Sequence, residues 1–228
     1  MIMSADPSDI LRRLFSESEL DRELAVRALV LAEAHSDDVL ETLTTVLKSD
    51  PSPKVRVWSA LALGCNPWQE EQLGKVSSAL AEAVLRDSNA QVRTQAAGGL
   101  RVLCTNNAPS DLVVRCCVQA LQDEEPRVII AAIYAIEKAS HNEVDGCLLS
   151  LLDHEDLFVC VSAIDVLIRR GHRSERIHRA IDRLLQMDYL KGEMTLLCDE
   201  SGCVSEVSIH DFVLSLRKFC NQKLQSED

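Results

Sequence analysis

Apolar positions along this chain recur in blocks separated by short polar turns. Near the middle, Leu85-Arg86-Asp87 closes one apolar stretch and Ala90-Gln91-Val92-Arg93 opens the next, followed by Ala97 and Leu100. The same order returns in Leu47-Lys48-Ser49-Asp50 with Val55-Arg56, Ala60 and Leu63. It returns again in Leu121-Gln122-Asp123 with Val128, Ile133 and Ile136, and in Leu151-Leu152-Asp153 with Val159, Ile164 and Leu167. Apolar residues at 0, +5 and +8 from a key valine face one side of a helix. A fainter copy uses Glu19, Leu24, Leu29 and Ala32, so the key positions are 24, 55, 92, 128 and 159, at steps of 31, 37, 36 and 31 residues.

A second apolar stripe precedes each of these helices. Val39, Leu40, Leu43, Val46 and Leu47 share one face, as do Leu73, Val76, Leu80, Ala83 and Val84. Leu112, Val113, Cys116, Cys117 and Leu121 form the next stripe, and Val144, Cys147, Leu148 and Leu151 the one after it. Two stripes per period predict a helix pair, which cannot hide its apolar faces alone and must stack on its neighbours. The turns within the pairs are Asp50-Pro51-Ser52-Pro53, Asp87-Ser88-Asn89, Asp123-Glu124-Glu125-Pro126 and Asp153-His154-Glu155-Asp156. They offer short side-chain acceptors to the exposed amides of the following helix, and Pro53 and Pro126 suit a first helical turn.

This grammar, an L-x-x-D or L-x-D turn followed by V-R-x-x-x-A-x-x-L, resembles HEAT repeats, particularly the kind shared with phycobilisome lyases, over roughly residues 8 to 190. The resemblance implies an all-α fold, an α-solenoid of the HEAT/armadillo-like right-handed superhelix type, occupying residues 1–190. It also implies a ladder between repeats, built from the turn Asp and the Arg after the key Val. Asp50 with Arg56 and Asp87 with Arg93 match, whereas Ile129 and Cys160 stand where later arginines belong, so the ladder is expected to fade. Residues 191–228 break the period, as a terminal cap with a polar outer face does. Within them Met194 to Cys198 and Cys203 to Ile209 flank Asp199-Glu200-Ser201-Gly202 and read as a small β-hairpin, with a loop as the alternative. A last helix is expected over Asp211 to Lys223.

Composition agrees with this picture. The chain has 228 residues, 46% of them apolar but only 4% aromatic, which suits helices packed through Ala, Val, Leu and Ile. The net charge of −12 opposes general binding to phosphate backbones. The longest greasy stretch, Val128 to Ile136, falls far short of the ~20 residues a membrane span needs, so no membrane association is expected and a cytoplasmic location is. Nine cysteines are many, but the number is odd and Cys116, Cys117 and Cys147 sit at helical core positions, as reduced thiols do.

No Gly-rich phosphate loop, nucleophile elbow or paired-histidine metal helix is present, and neither enzymatic chemistry nor a cofactor is expected. His154-Glu155 resembles one of the several His-Glu pairs with which HEAT-like di-iron hydroxylases surround two metals, but one pair in one turn cannot do that. Cys198, Cys203, His210 and Cys220 form a weak zinc candidate, since their C-x4-C-x6-H-x9-C spacing lacks a tight knuckle. Arg169, Arg170, Arg173, Arg176, Arg179 and Arg183 make a basic patch in an acidic chain, either for an acidic partner or nucleic acid or simply for pairing with nearby acids.

The second helices of such an array line its concave side. Three residues past the key valines lie Trp58, Gln95, Ala131 and Ser162, and six past lie Leu61, Gly98, Tyr134 and Asp165. Trp58, Leu61, Gln95, Arg101, Tyr134 and Asp165 are the candidate contacts, with the two aromatics as anchors or, alternatively, as packing between repeats. The leading expectation is a non-catalytic adaptor or scaffold that binds a protein partner through this surface. The repeat subtype implies a bilin lyase or phycobiliprotein chaperone as an alternative, and the arginine cluster suggests nucleic-acid binding as another, which the net charge disfavours.

Overall fold

The computed structural model describes residues 7–105, 108–140, 142–187, 194–198 and 204–222. Contacts divide the chain into two compact units, Met1–Ser140 and His141–Asp228. This division follows compactness, and so falls elsewhere than the boundary at 190 that the repeat period suggests.

The first unit contains α1 (Pro7–Arg13), α2 (Glu19–Leu31), α3 (Asp37–Ser49), α4 (Pro53–Cys65), α5 (Glu70–Arg86), α6 (Ala90–Leu103), α7 (Asp111–Ala120) and α8 (Pro126–Ala135). They pair as successive hairpins. The second helices α2, α4, α6 and α8 pack along one another, and the first helices α3, α5 and α7 form a parallel row. The repeating apolar positions make the core: Val55, Ala60, Leu63, Val92, Ala97, Leu100, Val128, Ile133 and Ile136 are all fully buried. In the first-helix stripes Leu112 is exposed and Val114 takes its place inside.

The fainter first copy has a different register from the one its leucines suggest. Leu24 is 48% exposed and Ala32 is exposed, whereas Val26 and Leu29 are fully buried. The key position is therefore Asp21, three residues earlier, with Val26 and Leu29 at +5 and +8. Arg22 then stands where Arg56 and Arg93 stand in the next repeats.

Those arginines tie each repeat to the next. Arg22 donates from Nε and Nη2 to the Asp50 carboxylate at 2.7 and 3.1 Å, Arg56 to Asp87 at 2.8 and 2.8 Å, and Arg93 to Asp123 at 2.7 and 2.8 Å. The remaining nitrogen Nη1 donates to the carbonyls of Ser16 and Glu17, of Asp50 and Pro51, and of Asp87 and Ser88 respectively. One guanidinium thus clasps its own turn through backbone and the following turn through a two-pronged ion pair. Each aspartate also accepts the amide two residues on, from Ser52, Asn89 and Glu125. The helix amides beyond are capped by other side chains, Asn89 for Gln91 and Val92 and Glu125 for Arg127.

The second helices approach very closely where α4 crosses α6. A Cβ on Gly64 would lie 2.5 Å from the Gly99 Cα, and a Cβ on Gly99 would lie 3.0 Å from Leu80 Cδ1 and 3.2 Å from the Gly64 Cα. The neighbour at Gly64 is backbone, which cannot step aside. Further along, a polar belt joins the second hairpin's exit to the turn before α3: Asn66 Nδ2 donates to the Ala34 carbonyl at 2.6 Å, and Gln72 Nε2 donates to the His35 carbonyl and to Asp37. Trp68, 8% exposed, donates its indole N–H to the Leu63 carbonyl at 2.8 Å.

The second unit contains α9 (Asn142–Ser150), a 3-10 turn (Leu151–Asp153), α10 (Leu157–Arg169), α11 (Glu175–Leu185), strands β1 (Met194–Cys198) and β2 (Val204–Ser208), and α12 (Ile209–Gln222). Every residue of α10 from Val159 to Ile168 is buried. The strands pair antiparallel from Met194↔Ser208 to Cys198↔Val204, so the hairpin read from the sequence is present, its connecting turn lying outside the described residues. α12 packs on α10 and α11 through Ile209, Phe212, Val213, Leu216 and Cys220. Gly171, at φ +93°, ends α10 in the left-handed conformation that glycine tolerates best.

The ladder also changes character in this unit. His154 occupies the position, five before the key Val159, that Asp50, Asp87 and Asp123 hold earlier, and its Nδ1 accepts the Asp156 amide at 2.9 Å as those carboxylates accept theirs. Cys160, at the arginine position, gives its thiol proton to the Leu152 carbonyl at 3.0 Å. Charge is restored from α11: Arg183 and Arg176 bind Asp153 at 2.6 and 3.1 Å, and Arg183 also reaches the Leu152 carbonyl.

Two outcomes are expected. Replacing Gly64 by Ala forces α4 and α6 apart and should lower unfolding stability by roughly 1–3 kcal/mol, read as a shifted urea midpoint at unchanged helicity. The second concerns acid. Burial would raise the Asp87 and Asp123 carboxyls, but the hydrogen bonds and charges of Arg56 and Arg93, with the Asn89 and Glu125 amides, bring both below the ordinary value. Their contribution is therefore complete above the unfolded value of about 3.9 and is lost as pH falls through the depressed values. An Asp87→Asn variant, weaker at neutral pH, should lose less of its urea midpoint than the parent between about pH 5 and 2.5.

Candidate functional site

The solvent side of α2, α4, α6 and α8 is the most distinctive surface of the first unit. Trp58 on α4 is half-buried, and the Arg27 guanidinium of α2 lies over its ring, 4.8 Å from the centroid. Tyr134 on α8 is likewise half-buried beneath Arg101 of α6, at 4.6 Å. In both cases one repeat supplies the cation and its neighbour the aromatic ring. The corrected register explains the first pair: Arg27 is at +6 of its repeat, the position that Tyr134 holds in its own, and Trp58 is at +3. Such stacking contributes about 0.5–1 kcal/mol at an exposed site and holds the planar guanidinium with its edge toward solvent.

Between the two stacked pairs lie Leu61, Gln95, Gly98 and Ala131, all half-buried, and Leu24 and Val102 add 48% and 49% exposed apolar side chains. Arg27 makes a long ion pair with Glu23 at 3.5 Å. Among the described residues no carboxylate lies within ion-pair distance of Arg101. Trp58, Leu61, Gln95, Arg101 and Tyr134 all lie on second helices of the first unit, and Arg27 and Leu24 join them once the first repeat is correctly registered.

Asp165 is buried. It lies in the second unit, only 4% exposed, and accepts a hydrogen bond from Arg169 Nε at 3.0 Å. An ionised side chain that deep needs a partner of its own, and the α10 helix turns it inward.

The arginines of the second unit are engaged with acids or carbonyls. Arg170 meets Asp145 at 2.6 Å, with His172 on the other carboxylate oxygen at 3.0 Å. Burial would raise Asp145, but Arg170 and His172 together bring it below the ordinary carboxylate value. Arg176 and Arg183 share Asp153, Arg179 faces Glu175 at 3.8 Å, and Arg173 donates to the Ile168 and His172 carbonyls with its buried Nε unmatched. Guanidiniums spent on fixed carboxylates add little to a positive field.

Of the zinc candidates, Cys203 and the side chain of Cys198 lie outside the described residues. His210 Nδ1 sits 3.9 Å from Asp211, and buried Cys220 faces His178 Nε2 at 3.4 Å. Among the described residues no three metal-ligating side chains converge. His154 Nδ1 accepts the Asp156 amide at 2.9 Å. Cys104, Cys116, Cys117, Cys160 and Cys220 are buried free thiols, Cys147 is half-buried and Cys65 is exposed. Burial pushes the Cys104 thiol up to about 11.

Open grooves also run between the first helices. One lies between α3 and α5, lined by Thr44, Leu47, Lys48, Ala79 and Glu82 and bridged by Lys48–Glu82 at 3.1 Å. A second, between α5 and α7, is lined by Ala81, Leu85, Leu112, Arg115 and Cys116. No described helix is long and apolar enough to cross a membrane.

The helical hairpins have an all-α, HEAT/armadillo-like solenoid fold. Residues 7–101 match the family model for HEAT repeats. No curated protein matches the chain by sequence. A designed armadillo repeat protein solved in complex with the peptide (KR)4 is 16% identical, covers 95% of this chain and 100% of its own, and superposes with a TM-score of 0.57. An engineered protein at 16% identity covers 97% of both chains with a TM-score of 0.59. Kap121p bound to Ste12p matches 77% of this chain over 19% of its own length, at 13% identity and a TM-score of 0.51. At these identities the likeness establishes the fold alone.

The engaged arginines give a direct expectation. Titration of a fluorescent duplex DNA with the intact protein should show no saturable binding even at low salt, where electrostatic affinity is greatest. Salt-sensitive binding, lost on replacing Arg176 and Arg179, would contradict the pairing described here.

Proposed function

We propose that this chain is a non-catalytic scaffold that docks a segment of a partner protein on the second-helix face of its first unit. The observation that carries this reading is the placement of two arginine-stacked aromatics, Trp58 and Tyr134, at either side of a half-buried strip formed by Leu61, Gln95, Gly98 and Ala131. Large amphipathic side chains held in place by a neighbour contribute binding energy at low entropic cost, and aromatics with arginine dominate interface hot spots. The helical-repeat neighbours solved with a peptide or with Ste12p support the use of such a fold for binding.

The bilin-lyase alternative rests on the turn-Asp and Val-Arg grammar. Those residues are occupied by the ion pairs between repeats, so they account for themselves without a pigment. The free thiols favour a reducing, cytoplasmic setting.

A Trp58→Ala/Tyr134→Ala variant should fold with unchanged helicity, because both side chains lie at the surface of the stack. In a pull-down from native cells it should lose the partners that the unmodified chain recovers, with affinity reduced roughly a thousandfold for a loss of about 2 kcal/mol at each of the two anchors. Equal recovery of the same partners would overturn the assignment of this face.

A further inference from the structure

Charge is distributed unevenly over the first unit. The first helices open on exposed carboxylates, Asp37 and Asp38 in α3, Glu70 and Glu71 in α5, and Asp111 in α7. The second-helix face is the opposite. Along its central rows Arg27, Arg101 and Lys138 stand against Glu23 and Glu137, a small positive excess in a chain of net charge −12. Lys138 Nζ donates to the Thr105 carbonyl, which holds that cation beside Arg101 at the end of α6.

The two stacked guanidiniums are also fixed in a way that suits one kind of ligand. A guanidinium lying over an aromatic ring keeps its flat face covered and its N–H edge turned outward; one nitrogen of Arg27 meets Glu23 at 3.5 Å, and the rest of the edge matches the oxygens of a carboxylate. Neighbouring helices pack about 8–10 Å apart, so the Arg27–Trp58 and Arg101–Tyr134 pairs, two helices from one another, lie roughly 16–20 Å apart. That distance is spanned by about six residues of extended chain at ~3.3 Å each.

We propose that the occupant of this face is an extended acidic segment of a partner protein, presenting two carboxylate side chains about six residues apart to the Arg27 and Arg101 forks. Between them its apolar side chains lie over Leu61, Gln95 and Gly98. This specificity rests on the docking face proposed above and adds its chemistry. On the first helices the carboxylates outnumber Lys48, Lys75, Arg86 and Arg115, which disfavours the same segment there relative to the second-helix side.

The test is selection of random dodecapeptides displayed on phage against the intact protein, against Arg27→Glu/Arg101→Glu and against Trp58→Ala/Tyr134→Ala, each checked for helicity. The selected pool should be acidic, with Asp or Glu pairs about five to seven residues apart, and its recovery should fall roughly tenfold or more on the charge-reversed variant. A neutral or basic pool that is nevertheless lost on the alanine variant would overturn the acidic specificity and leave the docking face standing. A pool indifferent to both variants, or no enrichment at all, would overturn both. An acidic pool lost only on the alanine variant would overturn the role of the two arginines.

Discussion

The first unit depends on one contact made three times, a guanidinium that holds the carbonyls of its own turn with one nitrogen and the aspartate of the next turn with the other two. Stacked hairpins bury apolar flanks that are nearly interchangeable along the row, and apolar burial is indifferent to small sliding. The Arg22–Asp50, Arg56–Asp87 and Arg93–Asp123 pairs are directional and almost wholly buried, and each aspartate is locked further by the amide two residues on. A buried ion pair of this kind adds modest net stability but penalises any register that leaves one partner alone. It therefore sets where each second helix begins, and with it the placement of Trp58, Arg101 and Tyr134.

The close crossing of α4 and α6 acts on the same row of helices. With no side chain at Gly64 or Gly99 the two backbones come into contact, and the rows on their solvent side are drawn together. The Arg27–Trp58 and Arg101–Tyr134 stacks each bridge adjacent repeats, so they form only if the spacing between second helices is right. The proposed docking face is thus a consequence of repeat-to-repeat geometry and carries no separate structural element of its own.

Much of this was legible in the amino-acid order. The recurrence of Val, Ala and Leu at 0, +5 and +8 is a direct imprint of burial, and those positions are fully buried in every repeat where a valine marks the start. It misleads in the first repeat because Asp21 replaces the valine, and exposed Leu24 and Ala32, either side of the buried Leu29, mimic the pattern three residues out of register. Had Arg22 been aligned with Arg56, the register would have followed. Other features were hidden because they depend on distance in space: the partner of each arginine is the next repeat's aspartate some thirty residues on, His154 replaces an aspartate by virtue of one ring nitrogen, and Asp165 lies at a surface spacing on a helix that is buried all round. The clustered arginines looked like a patch because Asp145 and Asp153, which pair with Arg170, Arg176 and Arg183, are remote in sequence.

The most direct measurement is a double-mutant cycle on Arg56 and Asp87, with urea unfolding of the parent, Arg56→Ala, Asp87→Ala and the double variant. If the fork links adjacent repeats as described, each single change is costly and the second adds little, giving a coupling energy of about 2 kcal/mol or more. Costs that add to within about 0.5 kcal/mol would show that the repeats are held by apolar stacking alone.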